Sequence, residues 1–242
     1  MESSSARRLA ELKILKNKYG QYALADNISV NILKSCPVVE KLKEGRVWEA
    51  DTIDFVSKKI NNKSMVHAGV YVGDMLPAFS SFTQEKIYAF EPNPDMIESI
   101  NETIRINNLN NVVFLNKGLS DVEDSSEFFY RYEGNMSIGG GARINVSHQA
   151  DNRYTAKQNK KTMINTVTID SVVKDEVSII QLDVEGFEIQ ALKGAMETIR
   201  KYRPILILEN VKENNEWMSK NIKPLGYKKV TNLKHDNTCW EC

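Results

Sequence analysis

The chain has 242 residues, 41% of them apolar and 26% charged, enough for one sizeable α/β domain with a real core. Lysine plus arginine equals aspartate plus glutamate at 32 each, which argues against bulk binding to nucleic acid or an anionic membrane. No stretch approaches the roughly 18 apolar residues of a membrane span, and "MESSSARRLAELKILK" has neither the apolar run nor the cleavage site of a secretory signal.

Residues 1–60 are predicted to form a helical extension. "ARRLAELKILKNKYG" puts Leu9, Leu12, Ile14 and Leu15 near helical spacing and ends on Gly20, a C-cap residue. "VWEADTIDFVSKKI" reads as a second amphipathic helix, and no chemistry is visible in the extension. From residue 61 to 242 the rhythm is that of one α/β domain. "SMVHAG" is a strand, "GDMLPAFSSFTQ" a helix with Pro77 in its first turn, "KIYAF" a strand and "PDMIESINETIRINNL" a helix opened by Pro94. "NVVFLN" and "VSIIQLD" are strands. "FEIQALKGAMETIRKY" is a helix, "PILILEN" a strand and "NEWMSKNIKPLG" a helix before a last strand, "YKKVTNL". Alternation of this kind predicts a doubly wound, mostly parallel sheet of Rossmann type, with helices on both faces.

Between about residues 122 and 165 the alternation is interrupted by an insertion. "SSEFFYRYEGN" and "TMINTVTID" read as extra strands, with a Gly-rich loop between them. Gly139 to Gly141 suit a mobile lid over an acceptor, and Tyr130, Tyr132 and Tyr154 suit stacking on a sugar face. The cysteines, Cys36, Cys239 and Cys242, are few and odd in number, as in a reducing, cytoplasmic setting. "CWEC" with His235 nearby lacks a fourth metal ligand, so its thiols are read as free.

Ligands of open α/β sheets sit beyond the carboxyl ends of the strands. In "HAGVYVGD", Gly69 and Gly73 let the backbone pass close to a ligand. Glu91 follows Gly69 by 22 residues, near the spacing at which an acid meets ribose hydroxyls, and Pro92, Asn93 and Pro94 restrict the turn behind it. A dinucleotide would need G-x-G-x-x-G. Here the third glycine is missing and Asp74 stands near the helix start, where it would repel a pyrophosphate. Adenosine with a positive charge and no phosphate suits the pattern better, which points to S-adenosylmethionine.

"FEPNP" and "LDVEGFEIQALKGA", together with "HAGVYVGD", "NNVVFLNKGLSD" and "TIDSVV", resemble the FkbM-type S-adenosylmethionine-dependent methyltransferases over roughly residues 64–210. The resemblance implies O-methylation of hydroxyls on sugars, glycolipids or polyketides, with a small-molecule or glycan acceptor. It places Gly69 and Gly73 in the cofactor turn and Glu91 on the ribose. Asn116, Lys117, Ser120 and Asp121 fall on the loop against adenine, and Asp183 beside the methionine moiety and reacting centre. The family pattern D-V-G-A-N-x-G is altered here: His67 replaces the acid and Tyr71 the asparagine. His67 reads as a cofactor-turn residue or, in preference, as a buried strand histidine.

A hydroxyl needs a base or a metal to become a nucleophile. Asp183, Glu209 and Asn210, at the ends of neighbouring strands, are the candidate Mg²⁺ ligands. The metal-free alternative gives the base role to Asp183, Glu185 or His148. Two rival readings stay open: an NAD-dependent dehydrogenase, and a non-catalytic cofactor-binding protein. A homodimer stays open as well.

Overall fold

A computed structural model describes residues 12–24, 37–133, 136–144, 159–234 and 236–242. The chain begins with a hairpin, β1 (Lys13–Asn17) and β2 (Gly20–Leu24), followed by α1 (Pro37–Lys43) and α2 (Ala50–Lys59). The first half of the α/β region contains β3 (Ser64–Ala68), α3 (Leu76–Ser81), β4 (Ile87–Phe90), α4 (Ile97–Ile106), β5 (Val112–Leu115) and β6 (Gly118–Leu119). The insertion contributes β7 (Asp124–Glu133), β8 (Met136–Ile144) and β9 (Asn159–Val167). The second half contains α5 (Ile169–Val172), β10 (Val177–Leu182), α6 (Glu188–Lys193), α7 (Met196–Tyr202), β11 (Ile205–Glu209), α8 (Lys212–Asn221), β12 (Lys228–Asn232) and β13 (Asn237–Glu241).

Seven strands form the central sheet in the order β12-β13-β11-β10-β3-β4-β5. It is mostly parallel, as predicted, and mixed because β13 runs antiparallel to both β11 and β12. Chain direction across the sheet reverses between β3 and β10, whose ends align at Ala68 and Leu182. A ligand crevice belongs there. One face of the sheet carries Ile53 and Val56 of α2, Phe79 of α3 and Ile100 of α4; the other carries Ala191, Leu192, Ile199 and Met218 from α6, α7 and α8. Each such Val, Leu, Ile, Phe or Met side chain, fully buried, contributes roughly 1.5–3 kcal/mol. No helix among the described residues is long and apolar enough to cross a membrane.

Four expectations are corrected. Residues 13–24 form a hairpin rather than a helix. Asn17 Oδ1 accepts the Tyr19 N–H at 2.8 Å and the Tyr22 hydroxyl at 2.9 Å, closing the turn. β2 then docks on α4: Ala23 N–H donates to Thr103 Oγ1 at 3.0 Å, and Asn107 bonds both the N–H and the carbonyl of Gln21. Gly20 is therefore no C-cap; a Cβ on it would lie 2.5 Å from Asn107 Oδ1.

The helix expected over 187–202 breaks into α6 and α7 at Gly194, which passes so close to the Ser120 carbonyl that a Cβ would lie 2.0 Å from it. Asp170 then caps α7, accepting the N–H groups of Glu197 and Thr198. "NTCWE" is a buried strand, β13, inserted between β11 and the strand expected to be last. Cys239 is a buried free thiol and Cys242 an exposed one, as read. Gly139 to Gly141 lie within strand β8 rather than in a loop. The β7–β8 register advances two residues on β7 (129 to 131) and five on β8 (143 to 138), so the glycines sit in a bulge.

The insertion is confirmed as extra strands, which pair in the order β6-β9-β7-β8. Cys36, His148, Tyr154 and His235 lie outside the described residues, as do the side chains of Tyr130 and Tyr132.

Candidate active site

A cleft of about 260 Å³ opens at the reversal point of the sheet. It is lined by residues from three strand ends: His67 on β3 with Gly69, Tyr71 and Asp74 after it; Glu91, Pro92 and Asn93 after β4; Asp183 and Glu185 after β10. Lys117 lines it from the loop after β5.

The turn after β3 is shaped by backbone approach. Gly69 has φ +84°, and a Cβ there would lie 1.9 Å from the Asp183 carbonyl oxygen, so only glycine fits between β3 and β10. Gly73 also has φ +84° but faces ordinary contacts and does not line the cleft. Tyr71 is left-handed at φ 52°, a conformation that asparagine tolerates and that costs a tyrosine about 1 kcal/mol.

Glu91 organises the floor. Its Oε2 accepts the Tyr71 N–H at 2.8 Å and its Oε1 accepts the Asn93 N–H at 2.9 Å. Asn93 in turn accepts the Asp95 N–H at 3.1 Å, starting the 3₁₀ turn Pro94–Met96. Asn116 Nδ2 donates to the Glu91 carbonyl at 2.7 Å. The carboxylate that the two prolines follow is thus anchored at both oxygens, with a lone pair left on each. Burial pushes Glu91 up to about 7, against the pull of its two backbone donors.

Asp183 is partly buried at the end of β10, and its N–H donates to the Ala68 carbonyl at 3.1 Å. Its carboxyl is raised well above the usual range, first by burial and then by the nearby carboxylates of Glu49, Glu185, Glu188 and Glu209. Glu185 sits at φ 55° beside Gly186 at φ 94°, a tight left-handed turn. Glu188 holds that turn from beneath. Fully buried, it accepts the N–H groups of Val184 at 3.1 Å and Gly186 at 3.2 Å through Oε1, while Oε2 accepts from Asn214 at 3.4 Å. Its place in "LDVEGFE" was visible in the sequence, its holding role was not.

Four residues expected at the cofactor do not line the cleft: Gly73, Asn116, Ser120 and Asp121. Asn116 holds Glu91 instead, and Ser120 is spent on Asp121, its hydroxyl donating at 3.2 Å. His67 lies buried at the base of the cleft. Its Nδ1 meets Gln181 Oε1, its ring stands edge-on to Phe79 at 5.1 Å, and burial lowers it to about 4, so it is neutral at physiological pH.

The Mg²⁺ reading does not fit these residues. Asn210 Oδ1 accepts from Asn215 at 2.9 Å and from the Lys229 ammonium at 3.1 Å, so a cation already faces it. Glu209 and Asn210 stand outside the cleft, and among the described residues no three His, Cys, Asp or Glu side chains are grouped to hold a metal.

The N-terminal extension, expected to be without chemistry, supplies Val38, Trp48 and Glu49 to the cleft, and the insertion supplies Phe128 and Ile144. Five carboxylates therefore line it, those of Glu49, Asp74, Glu91, Asp183 and Glu185. Among the described residues, Lys117 is the one lysine or arginine there.

The sequence pattern described as the Methyltransferase FkbM domain matches residues 67–228. This chain belongs to the FkbM methyltransferase family. Solved structures that it resembles include the methyltransferase FkbM of Methylobacillus flagellatus KT, at 18% identity and a TM-score of 0.49, with 75% of this chain and 44% of that one covered. M. jannaschii TYW2, solved in complex with AdoMet, is 13% identical with a TM-score of 0.47, covering 96% of this chain and 86% of that one. An rRNA methylase from Streptococcus thermophilus is 10% identical with a TM-score of 0.44, covering 79% and 93%. The FkbM chain thus spans less than half of its Methylobacillus counterpart. No curated protein matches it.

Proposed function

We propose that this FkbM chain binds S-adenosylmethionine at the reversal point of the sheet and transfers its methyl group to a hydroxyl of a sugar or glycan. The observation that carries the reading is the acid-rich lining of the cleft, five carboxyl groups against one lysine among the described residues. A dinucleotide would bring a pyrophosphate into that field. S-adenosylmethionine brings a sulfonium and an ammonium instead, and its adenosine needs the ribose acceptor that Glu91 offers.

The residues fit this group. Glu91 stands at the end of β4 with one lone pair on each oxygen for a ribose hydroxyl. Gly69 lets β3 and β10 meet backbone to backbone beside the cleft. Pro92, Asn93 and Lys117 border the adenosine side. When bound, the cofactor supplies a methyl carbon made electrophilic by its sulfonium.

What the protein adds is position and a proton acceptor. A carboxylate whose pKa is raised toward neutrality is a better general base than an ordinary one. Asp183, raised well above the usual carboxylate range by burial, would accept the acceptor's hydroxyl proton as the methyl group passed from sulfur to that oxygen, with S-adenosylhomocysteine as the leaving group. Glu185 is the second base on the same turn. The hydroxyl class of the acceptor rests on family membership. Its access rests on the apolar wall of Trp48, Phe128 and Ile144, which suits the face of a sugar ring.

The test is calorimetric titration with S-adenosylmethionine and, separately, NAD, each with Mg²⁺ and with EDTA, followed by turnover on glycan acceptors. Micromolar binding of the first alone, unchanged by EDTA, is the expected result. Binding of NAD in its place would overturn the reading.

A further inference from the structure

The family match begins at residue 67, yet a carboxylate from residue 49 reaches the cleft. Glu49 stands at the N-terminus of α2 and is 4% exposed. Its Oε2 accepts the Thr52 hydroxyl at 2.9 Å and the Asn237 amide, from β13, at 3.0 Å. Both bonds hold the carboxylate rigidly, and both fall on the same oxygen.

Asp74 faces the same cleft from the turn after β3. It is 6% exposed, and its Oδ2 is buried without a hydrogen-bond partner among the described residues. A buried carboxylate oxygen left unpaired is costly unless a ligand satisfies it. After burial, the neighbouring Glu49 carboxylate is what raises Asp74, so the two acids ionise together only at a cost that a bound cation would relieve. That arrangement is incomplete by itself.

Three properties narrow what completes it. The occupant is cationic, because both groups are acids. For a metal ion, no group of three ligating His, Cys, Asp or Glu side chains is assembled among the described residues. It is a donor of several hydrogen bonds, because two carboxylates from different elements must both be met. A primary ammonium has these properties. Glu91 lines the cleft from the end of β4, whereas Asp74 enters it from the turn after β3 and Glu49 from the start of α2.

We infer that Glu49 and Asp74 form a two-carboxylate seat for the α-ammonium of the cofactor's methionine moiety, so that a residue outside the matched domain completes the cofactor site. The inference rests on the cofactor reading above. His67, where the family pattern has an acid, is neutral and turned onto Gln181, so the seat also supplies the negative charge which that position lacks.

The probes are S-adenosylhomocysteine, which has the ammonium but no sulfonium, and 5′-methylthioadenosine, which keeps adenosine and thioether but lacks the amino-acid tail. Calorimetry is run on the full chain and on Glu49→Gln and Asp74→Asn, each checked for a cooperative melt. Each variant is expected to weaken S-adenosylhomocysteine by about ten-fold or more, the loss of a charge-assisted bond, and to leave 5′-methylthioadenosine within about two-fold. Equal losses for both probes, or no loss for either, would overturn the seat while leaving the cofactor reading intact. Failure of the wild-type chain to bind either probe would overturn both. If Glu49→Gln does not fold, Asp74→Asn decides alone, since Asp74 Oδ2 makes no bond that the substitution could break.

Discussion

The carbonyl oxygen of Asp183 occupies the space in which a side chain on residue 69 would begin: a Cβ on Gly69 would lie 1.9 Å from it. The two strands are thus packed to backbone contact where their ends border the cleft. Gly69→Ala must either push β10 away from β3 or strain a left-handed residue. We expect a loss of about 3 kcal/mol or more in denaturant unfolding and no measurable binding of S-adenosylmethionine in whatever folds. A variant with wild-type stability would show that the two strands yield easily here.

Glu91→Ala removes the proposed ribose acceptor and also strands two backbone donors, those of Tyr71 and Asn93. Affinity for S-adenosylmethionine is expected to fall at least about ten-fold, with a stability loss of about 1–3 kcal/mol alongside. Unchanged affinity in a folded variant would remove Glu91 from the site.

Stability should fall as pH rises. Glu49, Asp74 and Glu91 are each raised to about 7, chiefly by burial, from ordinary values near 4. Between these values the folded chain holds protons that the unfolded chain has released. Their stabilisation is complete below about pH 4 and is lost as pH climbs toward 7. The ligand-free protein should therefore melt higher at pH 5.5 than at pH 8, and Asp74→Asn should flatten the slope. A slope as steep in that variant as in the wild type would assign it to other groups.

A cationic ligand reverses the preference, because it favours the ionised carboxylates. Binding of S-adenosylmethionine at pH 6.5 should release protons. Binding heats in phosphate and in Tris should then differ, by an amount that vanishes well above pH 7. Equal heats in both buffers would mean that the carboxylates are already ionised in the free protein.

Asp183→Asn preserves shape and removes the base. Turnover on a glycan acceptor should drop about 10²-fold or more while S-adenosylhomocysteine still binds. Glu185→Gln serves as the comparison, and the larger loss identifies the base.

The parallel half of the fold was open to sequence reading because its strands are unbroken apolar runs between helices, and "FEPNP" announced Glu91 by its prolines. What stayed hidden was decided at long range. "KILKNKYGQYAL" has near-helical spacing, and it is Thr103 and Asn107, about 80 residues away, that make it a hairpin. "NTCWE" is short and half polar, and it becomes a buried strand only because β11 and β12 flank it. Glu49 looks like any acid at a helix start until Asn237 from the far end of the chain fastens it over the cleft. Asn116 and Ser120 sit in the right loop, but their side chains turn to neighbours rather than to the cleft.

That fastening bears on how the protein is cut for experiments. A fragment trimmed to residues 67–228 would discard β13, whose register runs from Leu206–Trp240 to Glu209–Asn237 along β11. "ILILE" would become a bare sheet edge, an invitation to edge-to-edge aggregation. The fragment would also lack Glu49. Expression trials should keep both ends, since β13 and Glu49 lie outside the stretch by which relatives are recognised.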